Sequence, residues 1–237
     1  MSVKRFREAV NSGDVLAAII ALHIIPDINA THELFDWGTP LCYVTDNCTS
    51  VILIQTLLDQ GAKVDVPDAM MWTPLHYAAK WEEEEICQLL LEAGASVHVL
   101  DTDMWTPLHA ASYSSCLEVA KLLLDRGADI NAKTYSNLTP LHFLIRFSSS
   151  PEIEVIQEFI QAGANLDVQD IHGYTPLMMA AEQGHLDVCS ILLKNGADTR
   201  LKNKDGRTAL AIATTESTTN ALNNTNHTSI VDILSKV

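Results

Sequence analysis

One phrase, repeated along the chain, decides what it can fold into. Thr-Pro-Leu or a close variant begins at Thr39, Thr73, Thr106, Thr139, Thr175 and Thr208, in steps of 34, 33, 33, 36 and 33 residues. Gly-Ala recurs in phase at Gly61, Gly94, Gly127, Gly163 and Gly196. A fixed period of this length marks a stack of small units, each burying its apolar face on its neighbours. The local chemistry fits a helix pair. Thr caps a helix start and Pro sits in the first turn, where its missing N–H costs nothing. The alanines of Thr106-Pro107-Leu108-His109-Ala110-Ala111 leave room for a second helix, Leu117 to Leu124, and Gly127 can end that helix in the left-handed conformation.

This period and this phrase resemble the ankyrin repeat family. His76, His109 and His142 stand at the family's histidine position, where Cys42, Met178 and Ala211 replace it, and Thr208-Ala209 replaces Thr-Pro. The resemblance implies an all-α solenoid of helix-turn-helix units with projecting β-hairpin-like fingers, the histidine bonding its own finger. It covers residues 1–237 as one domain. Residues 1–30 form an N-terminal capping repeat, and 31–64, 65–97, 98–130, 131–166 and 167–199 form repeats one to five. A C-terminal cap spans 200–237.

Departures from the period mark surfaces peculiar to this chain. The finger from Asp27 to Thr39 is longer than the others, and repeat four carries extra residues around Ser148-Ser149-Ser150-Pro151. The last unit has an insertion within Thr214 to Asn226, rich in Thr and Asn, which reads as a loop ahead of a closing helix, Ser229 to Lys236.

By the resemblance, the repeats bind a protein or peptide on a concave face made of fingers and first helices. That implies a non-enzymatic adaptor or scaffold, with a stoichiometric inhibitor, a methyl-lysine reader or a bacterial effector acting on host proteins as alternatives. The contact positions are rich in large side chains: Met70, Trp72, Trp81, Asp103, Trp105, Tyr113, Tyr135, Arg146, Phe147 and Tyr174. Such residues are enriched among those that dominate binding energy. Trp72, Trp105, Tyr113 and Tyr174 are the expected anchors. A methyl-lysine cage would gather Trp72, Trp81, Trp105 and Tyr113 around a cation, with Glu82. Met71 and Met104 replace the finger glycine and add apolar surface.

Charge is concentrated. The chain has 30 acids against 15 bases, a net charge of −15, and residues 8–120 hold 17 acids but only Lys63 and Lys80. This argues against duplex nucleic acid and anionic membranes. Glu82-Glu83-Glu84-Glu85 beside Trp81 suits a Lys/Arg-rich partner; a solvated acidic edge that aids solubility explains it equally well.

Reactive residues follow the repeat rather than a site. Five cysteines without a Cys-x-x-Cys pair read as reduced thiols, with Cys87 and Cys189 in the core, so no metal, cofactor or catalytic residue is expected. The apolar run from Val15 is too short to span a bilayer, and the first residues lack a secretory core. A cytoplasmic monomer is expected, with the nucleus, or a host cytosol for an exported effector, as other compartments. The resemblance marks Asn131 as a candidate for asparaginyl hydroxylation.

Overall fold

The computed structural model describes residues 2–148, 151–219 and 224–236. Among these it is all-helical: α1 (Ser2–Asn11), α2 (Val15–Leu22), a 3-10 turn (Glu33–Phe35), α3 (Pro40–Asn47), α4 (Val51–Asp59), α5 (Pro74–Lys80), α6 (Glu84–Glu92), α7 (Pro107–Ser114), α8 (Leu117–Asp125), α9 (Pro140–Phe147), α10 (Ile153–Gln161), α11 (Pro176–Gln183), α12 (Leu186–Lys194), α13 (Ala209–Thr219) and α14 (Asn224–Leu234). The chain resolves into two compact units. The first comprises residues 1–111 with 118–128, and the second 112–117 with 129–237.

In the first unit, α1 pairs with α2, α3 with α4 and α5 with α6, and first helices pack on first helices as second helices do on second. The core is mainly apolar, with Leu41, Leu53, Ile54, Leu57, Leu75, Ile86 and Leu90 fully buried beside the polar Thr73 and His76. The longer first finger makes room for the 3-10 turn. It drives Phe35 into the core, edge-on to Phe6 at 5.9 Å and against Tyr43 at 5.0 Å. In the second unit, α11 lies between α9 and α13, and α12 touches both α10 and α14, around Leu141, Val155, Phe159, Leu192, Ile212 and Ile230. Cys87 and Cys189 are core residues in their respective units. Burial pushes the Cys189 thiol up to about 12, so it is held as an inert thiol.

The Thr-Pro-Leu-His phrase builds a reciprocal cap. The Thr73 backbone N–H donates to His76 Nδ1 at 3.2 Å, and Thr106 and Thr139 do the same to His109 and His142 at 3.1 Å. Histidine thus takes the part that Glu or Gln plays in a capping box. With Nδ1 an acceptor, Nε2 carries the proton and donates to the Trp105 carbonyl from His76 (3.1 Å) and to the Tyr174 carbonyl from His142 (3.4 Å). This corrects the expected bond to the residue's own finger: the imidazole reaches the finger of the next repeat. The His76 and His142 rings each bridge two repeats because Nδ1 is already engaged at its own helix start.

Two further expectations change. The Thr214 to Asn226 insertion is not a loop throughout, because α13 continues to Thr219 and α14 already begins at Asn224 rather than Ser229; residues 220–223 lie outside the described residues. The extra residues of repeat four include Ser149 and Ser150, which also lie outside them. The fingers are hairpin-like in hydrogen bonding without forming strands among the described residues. Asp68 N–H donates to Trp72 C=O at 2.9 Å and Met71 N–H to Asp68 C=O at 3.0 Å. Adjacent fingers of one unit join through single backbone bonds, Ala69 to Asp36 and Thr102 to Met70 in the first, Ile171 to Ser136 and Lys204 to His172 in the second.

Candidate protein-binding site

In the first unit, carboxylates at the finger bases place the aromatic side chains. Asp68 Oδ1 accepts the N–H groups of Met70 and Trp72, both at 2.9 Å, while its Oδ2 accepts the Tyr77 hydroxyl. Asp101 Oδ1 likewise accepts Asp103 N–H at 2.8 Å and Trp105 N–H at 2.7 Å. Its second oxygen accepts the Trp72 indole N–H at 2.8 Å, so one carboxylate closes its own finger and orients the tryptophan of the finger before. The Trp72 ring packs 5.0 Å from Tyr77, 5.5 Å from His76 and 6.2 Å from Trp105. Burial, and then the Asp68 carboxylate, hold the Tyr77 hydroxyl well above its ordinary range, so it stays a neutral donor.

Trp72, Tyr77, Asp101 and Trp105 line a cleft of about 260 Å³ with Met70, Lys80 and Asp103. Trp72 and Trp105 are half-buried, whereas Met70 and Asp103 are exposed. The Lys80 ammonium lies 5.5 Å from the Trp72 ring centre and 4.4 Å from that of Trp81. Trp81 is 49% exposed and its indole N–H donates to Asp46 at 3.0 Å. Of the residues expected to gather around a cation, Trp72 and Trp105 meet in this cleft, joined by Tyr77, while Trp81 shares Lys80 from outside its lining.

In the second unit a cleft of about 340 Å³ is lined by Arg146, Phe147, Asp170, His172, Tyr174, Met179, Glu182 and Gln183. Asp170 repeats the finger device, accepting His172 and Tyr174 N–H groups at 2.8 Å. Tyr174 Oη donates to Glu182 at 3.0 Å and accepts from Arg207 at 3.4 Å. Burial, then the Glu182 charge, raise the Tyr174 pKa. Phe147 is 43% exposed and contacts Tyr113, itself 45% exposed, at 5.3 Å. The Arg146 guanidinium stands 5.8 Å over the Phe147 ring, and Tyr135, at 71% exposure, is outside the cleft lining.

Asn131 has both amide atoms engaged: Nδ2 donates to Gly163 C=O at 3.1 Å and Oδ1 accepts Asn165 N–H at 2.8 Å. Asn29 makes the same bridge to Gly61 and Lys63. Sequence reading missed Tyr77, whose signal was an aromatic where repeats three and five have alanine and methionine after the phrase. It also missed Trp37, 59% exposed, which takes the left-handed finger position that Met71 and Met104 fill in the next two repeats. No helix among the described residues is long and apolar enough to cross a membrane.

The pattern of ankyrin repeats matches residues 6–101, 108–153 and 141–236. Among curated relatives, the chain is 42% identical over 60 residues to mouse protein phosphatase 1 regulatory subunit 12A, covering 25% of this chain and 6% of that protein. It is 32% identical over 71 residues to human 2-5A-dependent ribonuclease, covering 30% and 10% respectively. An ankyrin repeat-containing protein of Schizosaccharomyces pombe is 31% identical over 65 residues, 27% of this chain and 31% of that one. The matched stretches therefore span under a third of each of these relatives.

Proposed function

Because the chain belongs to the ankyrin repeat family, whose repeats mediate protein–protein interaction, we propose that it is a non-enzymatic adaptor binding protein or peptide partners through fingers and first helices of repeats two to five. The observation that carries this reading is that each unit has a cleft lined by finger and first-helix side chains, several of them large and exposed. An adaptor needs two sites, and the two clefts differ in chemistry. Met70, Trp72, Trp81, Asp103 and Trp105 form an aromatic and acidic surface suited to a Lys/Arg-rich segment. Tyr113, Tyr135, Arg146, Phe147 and Tyr174 form a second surface carrying a guanidinium. The phosphatase relative is named a regulatory subunit, which agrees with a binding role.

The test is affinity capture with three baits: the parent chain, Trp72→Ala/Trp105→Ala and Phe147→Ala/Tyr174→Ala. Circular dichroism would first establish that each bait is folded. An anchor of this type contributes roughly 2–4 kcal/mol, so each double variant loses its own partner set by about 30-fold or more. Identical capture by all three baits rejects the reading. Loss of a captured enzyme's activity at a one-to-one ratio identifies the inhibitor alternative. Asn131, whose amide already bridges two repeats, is proposed as a hydroxylation site at its side-chain methylene. Intact mass of protein made in eukaryotic cells tests it by a gain of about 16 Da.

A further inference from the structure

Residues 8–120 contain 17 acids and only two cations, Lys63 and Lys80. One of those two sits on the aromatic faces of the first-unit cleft. The Lys80 ammonium is within cation–π range of both Trp72 and Trp81, at 5.5 and 4.4 Å. The indole N–H edges are committed elsewhere, Trp72 to Asp101 and Trp81 to Asp46, so the rings are held in place independently of Lys80. The negative charge of Asp101 and Asp103 lies at the same cleft. The surroundings are thus arranged to attract a cation, and the chain supplies one of its own.

We propose that this cleft is a receptor for one lysine or arginine side chain of a partner protein, and that Lys80 is its resident occupant, displaced when the partner's cation enters. The inference rests on the reading of repeats two and three as an interaction surface and adds a competition to it. An entering cation gains only the difference between its own contacts and those Lys80 gives up. Removing the resident ammonium therefore tightens binding. That effect is short-ranged and persists in salt, whereas the gain from merely deleting one positive charge is screened.

The experiment measures fluorescence anisotropy of a labelled peptide of alternating glycine and arginine, and of its glycine–lysine counterpart, with a glycine–glutamate peptide as control. The chains are the parent, Lys80→Ala, Lys80→Arg, Lys63→Ala and Trp72→Ala, in about 0.5 M sodium chloride. Lys80→Ala is expected to bind a cationic peptide about fivefold or more tighter than the parent. Lys63→Ala and Lys80→Arg should match the parent, and Trp72→Ala should bind more weakly. If Lys80→Ala gains no more than Lys63→Ala while Trp72→Ala still loses affinity, displacement is overturned and the interaction surface stands. If neither the parent nor Lys80→Ala binds either cationic peptide, the cation receptor itself is overturned. The capture experiment above then decides separately whether repeats two and three bind proteins of another character.

Discussion

At the scale of single residues, one position shows how different side chains fill one role. His76 donates from Nε2 to the next finger's carbonyl, and at the equivalent place Cys42 donates its thiol to the Trp72 carbonyl at 3.4 Å. Burial, followed by Asp68, raises the Cys42 pKa, so the donor proton is retained. The histidines are held neutral. Burial lowers the His76 pKa and brings that of His142 to about 4 from 6.5. With the folded pKa depressed, the unfolded chain takes up protons first. Their stabilisation is present above about pH 6.5 and is lost as pH falls toward 4. Moving from pH 7 to pH 5 should cost about 2 kcal/mol through His142 alone. Urea unfolding at both values measures it, and a His142→Gln variant should show a smaller drop. Met71 and Met104 adopt left-handed backbone, with φ of 62° and 63°. A side chain costs about 1 kcal/mol there, so Met71→Gly and Met104→Gly should each raise stability by about that amount in thermal unfolding. Their conservation of φ was legible in the sequence only as a missing glycine.

At the scale of elements, the finger depends on the acid at its base. Asp101 accepts three N–H groups, two from its own finger and one from the Trp72 indole. Asp101→Ala should destabilise by about 2–3 kcal/mol and shift tryptophan emission to the red, as Trp72 loses its anchor. Unchanged emission would show that packing on Tyr77 suffices to hold the ring. Elsewhere, Asp65 occupies the place where Asn29 and Asn131 bridge two repeats. It accepts from Ser96 N–H at 3.2 Å but has no amide proton to donate, and burial raises its pKa. Asp65→Asn supplies the donor and removes a partly buried charge, with an expected gain of about 1 kcal/mol at pH 7 that shrinks in acid. The helix starts were legible because Thr-Pro-Leu is a local signal. The continuation of α13 to Thr219 was not, since a polar Thr-rich segment carries no apolar stripe to mark it as helical.

At the scale of the whole molecule, uneven charge is the controlling property. All four tryptophans lie in the first unit, which also holds most of the excess acid. Their emission therefore reports a strongly anionic segment, whose self-repulsion opposes compaction. Raising sodium chloride from about 20 to about 500 mM should move the tryptophan-detected urea midpoint upward. A midpoint that falls or stays fixed would mean that attractive pairs, such as Lys80 on its aromatic rings, outweigh repulsion.

Period, capping chemistry and the burial of apolar positions were determined by the sequence itself, because each is set within one repeat and its neighbour. The finger and first-helix residues that line the clefts were legible as positions for the same reason. What they do was decided by tertiary structure. Asp101 reaches Trp72 across 29 positions, Trp81 finds Asp46 across 35, and Tyr77 enters the cleft although its spacing marks it only as part of a helix. Side-chain direction across repeats, rather than spacing along the chain, determines which ring face receives a cation. No local pattern encodes that direction, because it follows from how one finger is seated against the next.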